Sequence, residues 1–211
     1  MFHYNLLHWT TFLTAIFLLN ISPGPDMAFI LGQTARSGRH GGFAAVFGIW
    51  SGTFLHVLMA AAGLSVILAT SALAFSVVKW AGAAYLIWIG IKALRSHGGA
   101  ILMKEGGGQK RSLRGIYWQG VFVSALNPKV AVFFLAFLPQ FVVDGAGPVS
   151  AQLFLHGTLI IIAAAFVEPP LVLAGAHISN ALRNNQRIAM WMDRSLGALF
   201  IALGIRLAVS D

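Results

Sequence analysis

Three ionisable side chains lie inside long apolar stretches of this chain, and each stands next to a proline. They are Asp26 in SPGPDM, Lys129 in LNPKV and Glu168 in VEPP. An ionisable residue at the centre of a lipid bilayer is costly, and such residues usually bind a substrate or carry protons. Proline removes a backbone donor and interrupts a helix. The combination predicts a polar site built at interruptions in membrane-spanning helices.

The composition of the chain supports a membrane setting. Of its 211 residues, 58% are hydrophobic and 9% are charged, whereas about 25% of the residues of an average soluble domain are charged. This polar surface is too small to cover a water-soluble globule, so several membrane spans are expected. The net charge of +8 falls in short clusters between apolar runs, and we therefore expect no nucleic-acid partner. The chain has no cysteine, which excludes thiolate metal sites.

Six apolar segments are each long enough for a helix that crosses the roughly 30 Å hydrocarbon core. A basic, glycine-rich segment at 96–115 separates them into two groups of three and is predicted to be a flexible cytoplasmic loop. We expect an all-α integral membrane protein, a single transporter domain over 1–211, with two inverted three-helix repeats at about 4–95 and 116–209. The six segments are 4–35, 42–70, 72–94, 116–143, 149–182 and 192–209.

The basic residues indicate how these segments cross the membrane. With six spans, the connections after the first, third and fifth share one face, and the opposite face receives only Lys79 and Arg206. Loops rich in Lys and Arg stay in the cytoplasm, so both termini are expected outside it. The basic residues of the cytoplasmic face are Arg36, Arg39, Lys92, Arg95, Lys104, Lys110, Arg111, Arg114, Arg183, Arg187 and Arg194.

The first and fourth segments, which open the two halves, carry matching interruptions. They are predicted to break near the membrane midplane, at Pro23-Gly24-Pro25 and at Asn127-Pro128. The three ionisable residues lie ten to fifteen residues from basic residues of the cytoplasmic face, which places them near the same depth at about 1.5 Å per residue. Paired breaks in inverted halves are typical of transporter substrate sites. The half-helix after each break points free N–H groups at the midplane, where they can bind an anion.

Several stretches of the sequence resemble one known family. They are SPGPDM with the GRHGG that follows it, GAAYLIWIGIKALRS, NPKVAVFFLAFLPQF and GALFIALGIRLA. Taken in order they cover nearly the whole chain, and they are similar to the LysE/RhtB family of bacterial amino-acid exporters. The resemblance implies six spans, a place in the bacterial inner membrane with periplasmic termini, and export of amino acids or their derivatives by proton antiport. The Glu168-Pro169-Pro170 segment departs from the family pattern, so the resemblance does not specify the substrate.

A zwitterionic amino acid would fit the charges of this site. Its carboxylate is expected at the half-helix N-termini with Lys129 as counter-charge, and Asp26 is expected to accept from its ammonium group. Since two acids share one base, Asp26 is the expected partner of Lys129, which leaves Glu168 as the candidate proton carrier. No cofactor and no metal are expected. The candidate substrate-binding residues are Pro23, Gly24, Pro25, Asp26, Asn127, Pro128 and Lys129, and the proton-coupling candidates are Glu168 and Asp26.

The sequence leaves alternatives open. A cation or metal-ion exporter of the same superfamily would need clustered His, Cys or carboxylate ligands. An intramembrane enzyme would need a partnered nucleophile, and the chain has neither a nucleophile elbow nor an HExxH motif. A passive channel, a structural ion pair between Asp26 and Lys129, and a simple kink at Pro169-Pro170 are further interpretations. The expected partners are the amino-acid substrate, protons and membrane lipid, and the sequence does not decide whether the protein is a homo-oligomer.

Overall fold

The computed structural model describes residues 4–21, 24–64, 72–95, 112–175 and 186–209, and the regular structure within them is helical. The helices are α1 (Leu6–Ile21), α2 (Pro25–Met59), α3 (Ala72–Leu94), α4 (Leu113–Ala125), α5 (Pro128–Val132), α6 (Val149–Leu173) and α7 (Gln186–Val209). Two of them continue into irregular turns, which are a π-helix at Ala60–Leu64 after α2, and a π-helix at Phe133–Phe137 with a 3₁₀-helix at Leu138–Phe141 after α5. Most of the predicted 96–115 loop lies outside the described residues.

Several described helical stretches are apolar enough to cross a membrane. Pro25–Gly63 and Val149–Leu173 each contain a sufficiently long apolar window, and Leu113–Ala125 with Lys129–Phe141 makes a third if the bent pair is one span. Large apolar side chains face outwards, including Phe166 at 75% exposure and Leu73 at 76%, which suits contact with lipid tails. The predicted all-α protein with several apolar spans is confirmed. Six spans in two inverted repeats stay a prediction.

Helix α2 folds back on itself at Gly38. This residue has φ 67° and ψ −167°, a conformation that glycine adopts because it has no Cβ. A Cβ added to Gly42 would collide with Thr34 Oγ1, although residues eight apart are separated by about 12 Å along a straight helix. Helix α2 therefore has a first arm before Gly38 and a second arm after it. The turn falls between the predicted first and second spans.

The described bundle has two distinct ends. At one, the Gly38 end, the fold-back packs against the C-terminal part of α6, since Gly42 contacts Val172 and Gly175 contacts Thr34. At the other, the His156 end, the start of α6 meets the segment before α1 and the chain that follows α5. Gln152 bonds there to the Tyr4 hydroxyl and to the backbone of Val143. Helices α1 and α6 and the 133–141 segment share a buried apolar core on this side of the bundle.

Glycines bring helix backbones into close contact at two interfaces. In the second arm of α2, a Cβ added to Gly52 would lie 2.5 Å from Val121 O of α4. Gly90 of α3 and Gly197 of α7 face each other in the same manner, because a Cβ on either would come within 2.7 or 2.6 Å of the other's carbonyl oxygen. Small residues permit such approach between membrane helices. Helix α1 packs instead against α6.

Candidate functional site

The interruption in the first predicted span frees backbone carbonyls at the centre of the bundle. Helix α1 ends at Ile21 and α2 begins at Pro25. In a continuous helix the carbonyls of Leu19 and Ile21 would accept from the N–H groups of residues 23 and 25, but both are prolines and have no N–H. Leu19 O accepts instead from Lys129 Nζ, at 3.0 Å. Pro23 itself lies outside the described residues.

The interruption in the fourth predicted span positions Lys129. Helix α4 ends at Ala125, and the stretch from Lys129 onwards is bent from it by 47°. Asn127 caps α5, since its side-chain oxygen accepts from the backbone N–H of Lys129 at 3.0 Å. Pro128 occupies the first turn of α5, where its missing N–H removes no helical bond. Lys129 thus lies in the first turn of α5, against the break between α1 and α2.

The charges of the two breaks match the local helix dipoles. Lys129 Nζ lies at the C-terminus of α1, where it binds Leu19 O, and a cation is favourable at that end. Asp26 lies in the first turn of α2, where an anion is favourable. A Cβ added to Gly24 would meet Lys129 Nζ at 3.4 Å, so the ammonium group lies within contact distance of the first break. The two breaks therefore adjoin each other through the Lys129 side chain.

Glu168 reaches the same region from an uninterrupted helix. Helix α6 continues through Pro169 and Pro170 to Leu173, so these prolines do not create a third break. The Glu168 side chain is buried, with 7% exposure. Its Oε2 accepts from Trp50 Nε1 at 2.6 Å, and this bond ties α6 to the second arm of α2.

A small cavity brings the three ionisable residues together. Its volume of about 40 Å³ holds a few water molecules, so the helices must move apart before an amino acid can enter. Helices α1 and α6, both arms of α2 and the chain after the second break all contribute to its wall. The lining residues are Leu19, Asn20, Gly24, Asp26, Met27, Ile49, Trp50, Thr53, Lys129, Val130, Phe134, Ile160, Ile161, Ala164 and Glu168.

Two buried polar atoms beside Lys129 have no hydrogen-bond partner in the described part of the chain. They are Asp26 Oδ1, which can only accept when the carboxyl is ionised, and Asn127 Nδ2, which can only donate. The two side chains are adjacent, so the Asn127 amide and the Asp26 carboxyl can interact with each other, and both lie beside Lys129. Buried polar groups are normally paired. An acceptor and a donor without a well-formed hydrogen bond therefore lie beside a cation at the edge of the cavity.

The structure brings most of the predicted site residues together and adds others. Gly24, Asp26, Lys129 and Glu168 line the cavity, while Asn127 is buried beside it and Pro25 and Pro128 begin the two helices. Trp50 and Thr53 were missed by sequence reasoning. Trp50 lies as many residues after Gly38 as Asp26 lies before it, so the fold-back returns both to one depth. The fold-back at Gly38 was the feature that could have indicated Trp50 and Thr53.

A helical bundle with charged residues gathered where two spans break is the arrangement of a membrane transport protein. The sequence model of the LysE type translocator family matches residues 17–211, and the chain belongs to this family, which confirms the resemblance found in the sequence. It is 31% identical over 209 residues to a homoserine/homoserine lactone efflux protein of Salmonella typhimurium, covering 95% of each chain. It is 26% identical over 208 residues to a leucine efflux protein of Salmonella choleraesuis, covering 97% of this chain and 96% of that one. No solved structure gives a significant match.

Proposed function

We propose that this protein exports a zwitterionic amino acid, or a close derivative, across the bacterial inner membrane in exchange for protons. The observation that carries the proposal is that Asp26 and Lys129 line one buried cavity and Asn127 is buried beside them. An acceptor, a donor and a cation complement the ammonium and carboxylate groups of an amino acid. The names of the relatives, which describe efflux of homoserine, homoserine lactone and leucine, support the same substrate class.

The arrangement suggests how the substrate is held. The ammonium group of the substrate donates to Asp26 Oδ1, and its carboxylate accepts from Asn127 Nδ2 and Lys129 Nζ. To reach the carboxylate, Lys129 Nζ gives up its hydrogen bond to Leu19 O. The positive N-terminal end of α2 adds to the attraction for the carboxylate. The substrate side chain then lies against the apolar part of the wall. This part is formed by Met27, Ile49, Phe134, Ile160, Ile161 and Ala164.

Reconstitution in proteoliposomes tests this function. Vesicles preloaded with unlabelled homoserine or leucine should transiently accumulate the labelled amino acid above its equilibrium level, because a carrier exchanges one molecule for another. A channel only equilibrates the label, and an enzyme alters the molecule, which mass spectrometry detects. Homoserine lactone, which lacks the carboxylate, is the informative comparison. Counterflow of cationic amines without any counterflow of zwitterions would contradict the proposed roles of Asn127 and Lys129.

We propose further that the Gly38 end faces the cytoplasm and that the chain forms two inverted repeats of three spans, with both termini in the periplasm. Arg36 and Arg39 flank the Gly38 turn and are exposed, and basic loops stay cytoplasmic. The helix pairs support the repeat. Helix α1 packs with α6, the second arm of α2 with α4, and α3 with α7. An inverted repeat relates each predicted span to the span three places away along the chain. This relation exchanges the first two of these helix pairs and leaves the third pair unchanged.

Reporter fusions check this orientation. A reporter that is active only in the cytoplasm should be silent when it follows the last residue and active when it is inserted at 106–108, because the basic loop between the repeats is retained inside. A periplasm-specific reporter at the same two positions is the matched control and should give the opposite pattern. Cytoplasmic activity at the C-terminus would contradict the model with both termini outside.

A further inference from the structure

Two histidines join α1 to α6 at the His156 end of the bundle. The Nε2 atoms of His8 and His156 lie 2.8 Å apart. His156 Nδ1 lies 2.8 Å from the carbonyl oxygen of Gln152, which can only accept, so Nδ1 carries a hydrogen and donates it. The Nε2 of a neutral His156 is then an acceptor, and the hydrogen between the two rings belongs to His8. A single shared hydrogen therefore links the two helices.

Aromatic rings surround the pair, and no carboxylate is among the described groups that act on it. Trp9 stacks on His156 with ring centroids 5.5 Å apart, and Tyr4 and Phe12 meet it edge-on at 5.2 and 4.7 Å. Aromatic rings attract cations. The other polar groups that face the pair in the described part of the chain are the Tyr4 hydroxyl and Gln152, and the 3₁₀-helix contributes the ring of Phe141. His156 is 1% exposed, whereas His8 is partly exposed and gives access to solvent.

The histidine pair lies at the His156 end of the interface between α1 and α6. This interface closes the cavity, and we call it the α1–α6 seam. On α6, buried residues recur every fourth position from His156 to Glu168, so each is a neighbour of the next and together they form one continuous buried stripe. On α1, Phe12 and Ile16 fill the opposing surface at 0% and 1% exposure. Three members of the α6 series line the cavity, and they are Ile160, Ala164 and Glu168. Opening the cavity towards the His156 end requires this seam to part.

We propose that the His8–His156 pair is a proton-operated latch on the α1–α6 seam, which releases substrate towards the periplasm. The inference rests on the proposed export function, because it assigns the His156 end to the exit side. A first proton, taken up at Nδ1 of His8, makes that ring a charged donor and strengthens the bond. A second proton, taken up at Nε2 of His156, leaves no acceptor between two positive rings, and the bond is lost. Burial of His156 and repulsion from the charged His8 ring both oppose this second proton, so the seam opens only in acid at or below the lower end of the usual histidine range of about pH 5 to pH 8.

Labelling from the periplasmic side tests the latch without relying on transport. The natural chain has no cysteine, so Ala164→Cys supplies a unique thiol in the cavity wall. Its reaction with a membrane-impermeant thiol reagent in whole cells should rise about fivefold or more between pH 7.5 and pH 4.5, after normalisation to the same reaction of Ser150→Cys. Ser150 is exposed near the start of α6, so this control corrects for the pH dependence of the thiol chemistry.

Removal of either ring should abolish the acid response. Glutamine hydrogen-bonds but does not titrate in this range, so His8→Gln in the Ala164→Cys background should reduce the rise to less than about twofold. His156→Gln should do the same, and serves if the first variant folds poorly. An unchanged rise in both variants, or labelling that does not depend on pH with both histidines present, would overturn the latch. Loss of counterflow with normal pH-dependent labelling would overturn the export function instead.

Discussion

Asp26→Asn should abolish both gradient-driven export and substrate exchange. The change keeps the size of the side chain but removes the charge that is expected to hold the substrate ammonium. Truncating one partner of a buried charge pair costs about 3 kcal/mol or more, which corresponds to about 100-fold in substrate affinity. The measurement is counterflow of labelled substrate at a concentration well below saturation. Asp144→Asn is the matched control, because Asp144 lies exposed in the connection before α6 and its loss should leave transport unchanged.

A second variant separates substrate binding from a purely structural role. If Asp26 and Lys129 only neutralise each other at the two breaks, the uncharged pair Asp26→Asn with Lys129→Gln should recover the transport that either single change removes. If they bind the substrate, the double variant should fold, because no unpaired charge stays buried, and still fail in counterflow. Recovered counterflow in the double variant would show that Asp26 and Lys129 have a purely structural role.

Glu168→Gln should uncouple the transporter while preserving its fold. Glutamine can still accept the hydrogen bond that Trp50 Nε1 donates to Glu168 Oε2, so the packing of α6 against the second arm of α2 should persist. It cannot take up or release a proton. Net export driven by a pH gradient should therefore fall to the level that the substrate gradient alone supports, while counterflow stays close to that of the natural protein. Both rates can be measured on one batch of proteoliposomes.

Trp50→Phe is the companion of this experiment. It removes the indole N–H that Glu168 accepts but keeps an aromatic ring in the cavity wall. Export should stay coupled to protons and change in its pH dependence, because the environment of the carboxyl changes while the carboxyl itself is retained. Gradient-driven export at the natural rate in Glu168→Gln would contradict the proton-carrier role and leave Glu168 as a packing residue that holds Trp50.

The latch and the proton carrier would lie on one continuous buried stripe of α6. His156 and Glu168 are both buried and are twelve residues apart on the helix, about 18 Å. Parting of the α1–α6 seam would therefore expose Glu168 to the side on which the latch is protonated. This geometry gives an order of events for antiport, in which the seam opens, substrate leaves and Glu168 takes up a proton.

The sequence by itself determined the features that depend on a residue and its near neighbours along the chain. The hydrophobic composition indicated an all-α membrane protein. Proline at positions 23, 25 and 128 predicted interruptions, because a missing N–H acts on the carbonyl four residues earlier, whatever the rest of the fold does. The constant rise of a helix placed Asp26, Lys129 and Glu168 at similar depth. The family followed from matching stretches along nearly the whole chain.

Only the tertiary structure decided which of these residues touch. Contact between helices depends on how each one is rotated about its own axis and on how the chain folds back, and neither is encoded in local spacing. The bond between Trp50 and Glu168 depends on the turn at Gly38, and the one between His8 and His156 joins residues 148 positions apart. Packing also keeps α6 helical through Pro169 and Pro170, although the same chemistry interrupts the first span. Local chemistry predicts the depth of a residue in the membrane, and the rotation and packing of whole helices determine which residue it contacts.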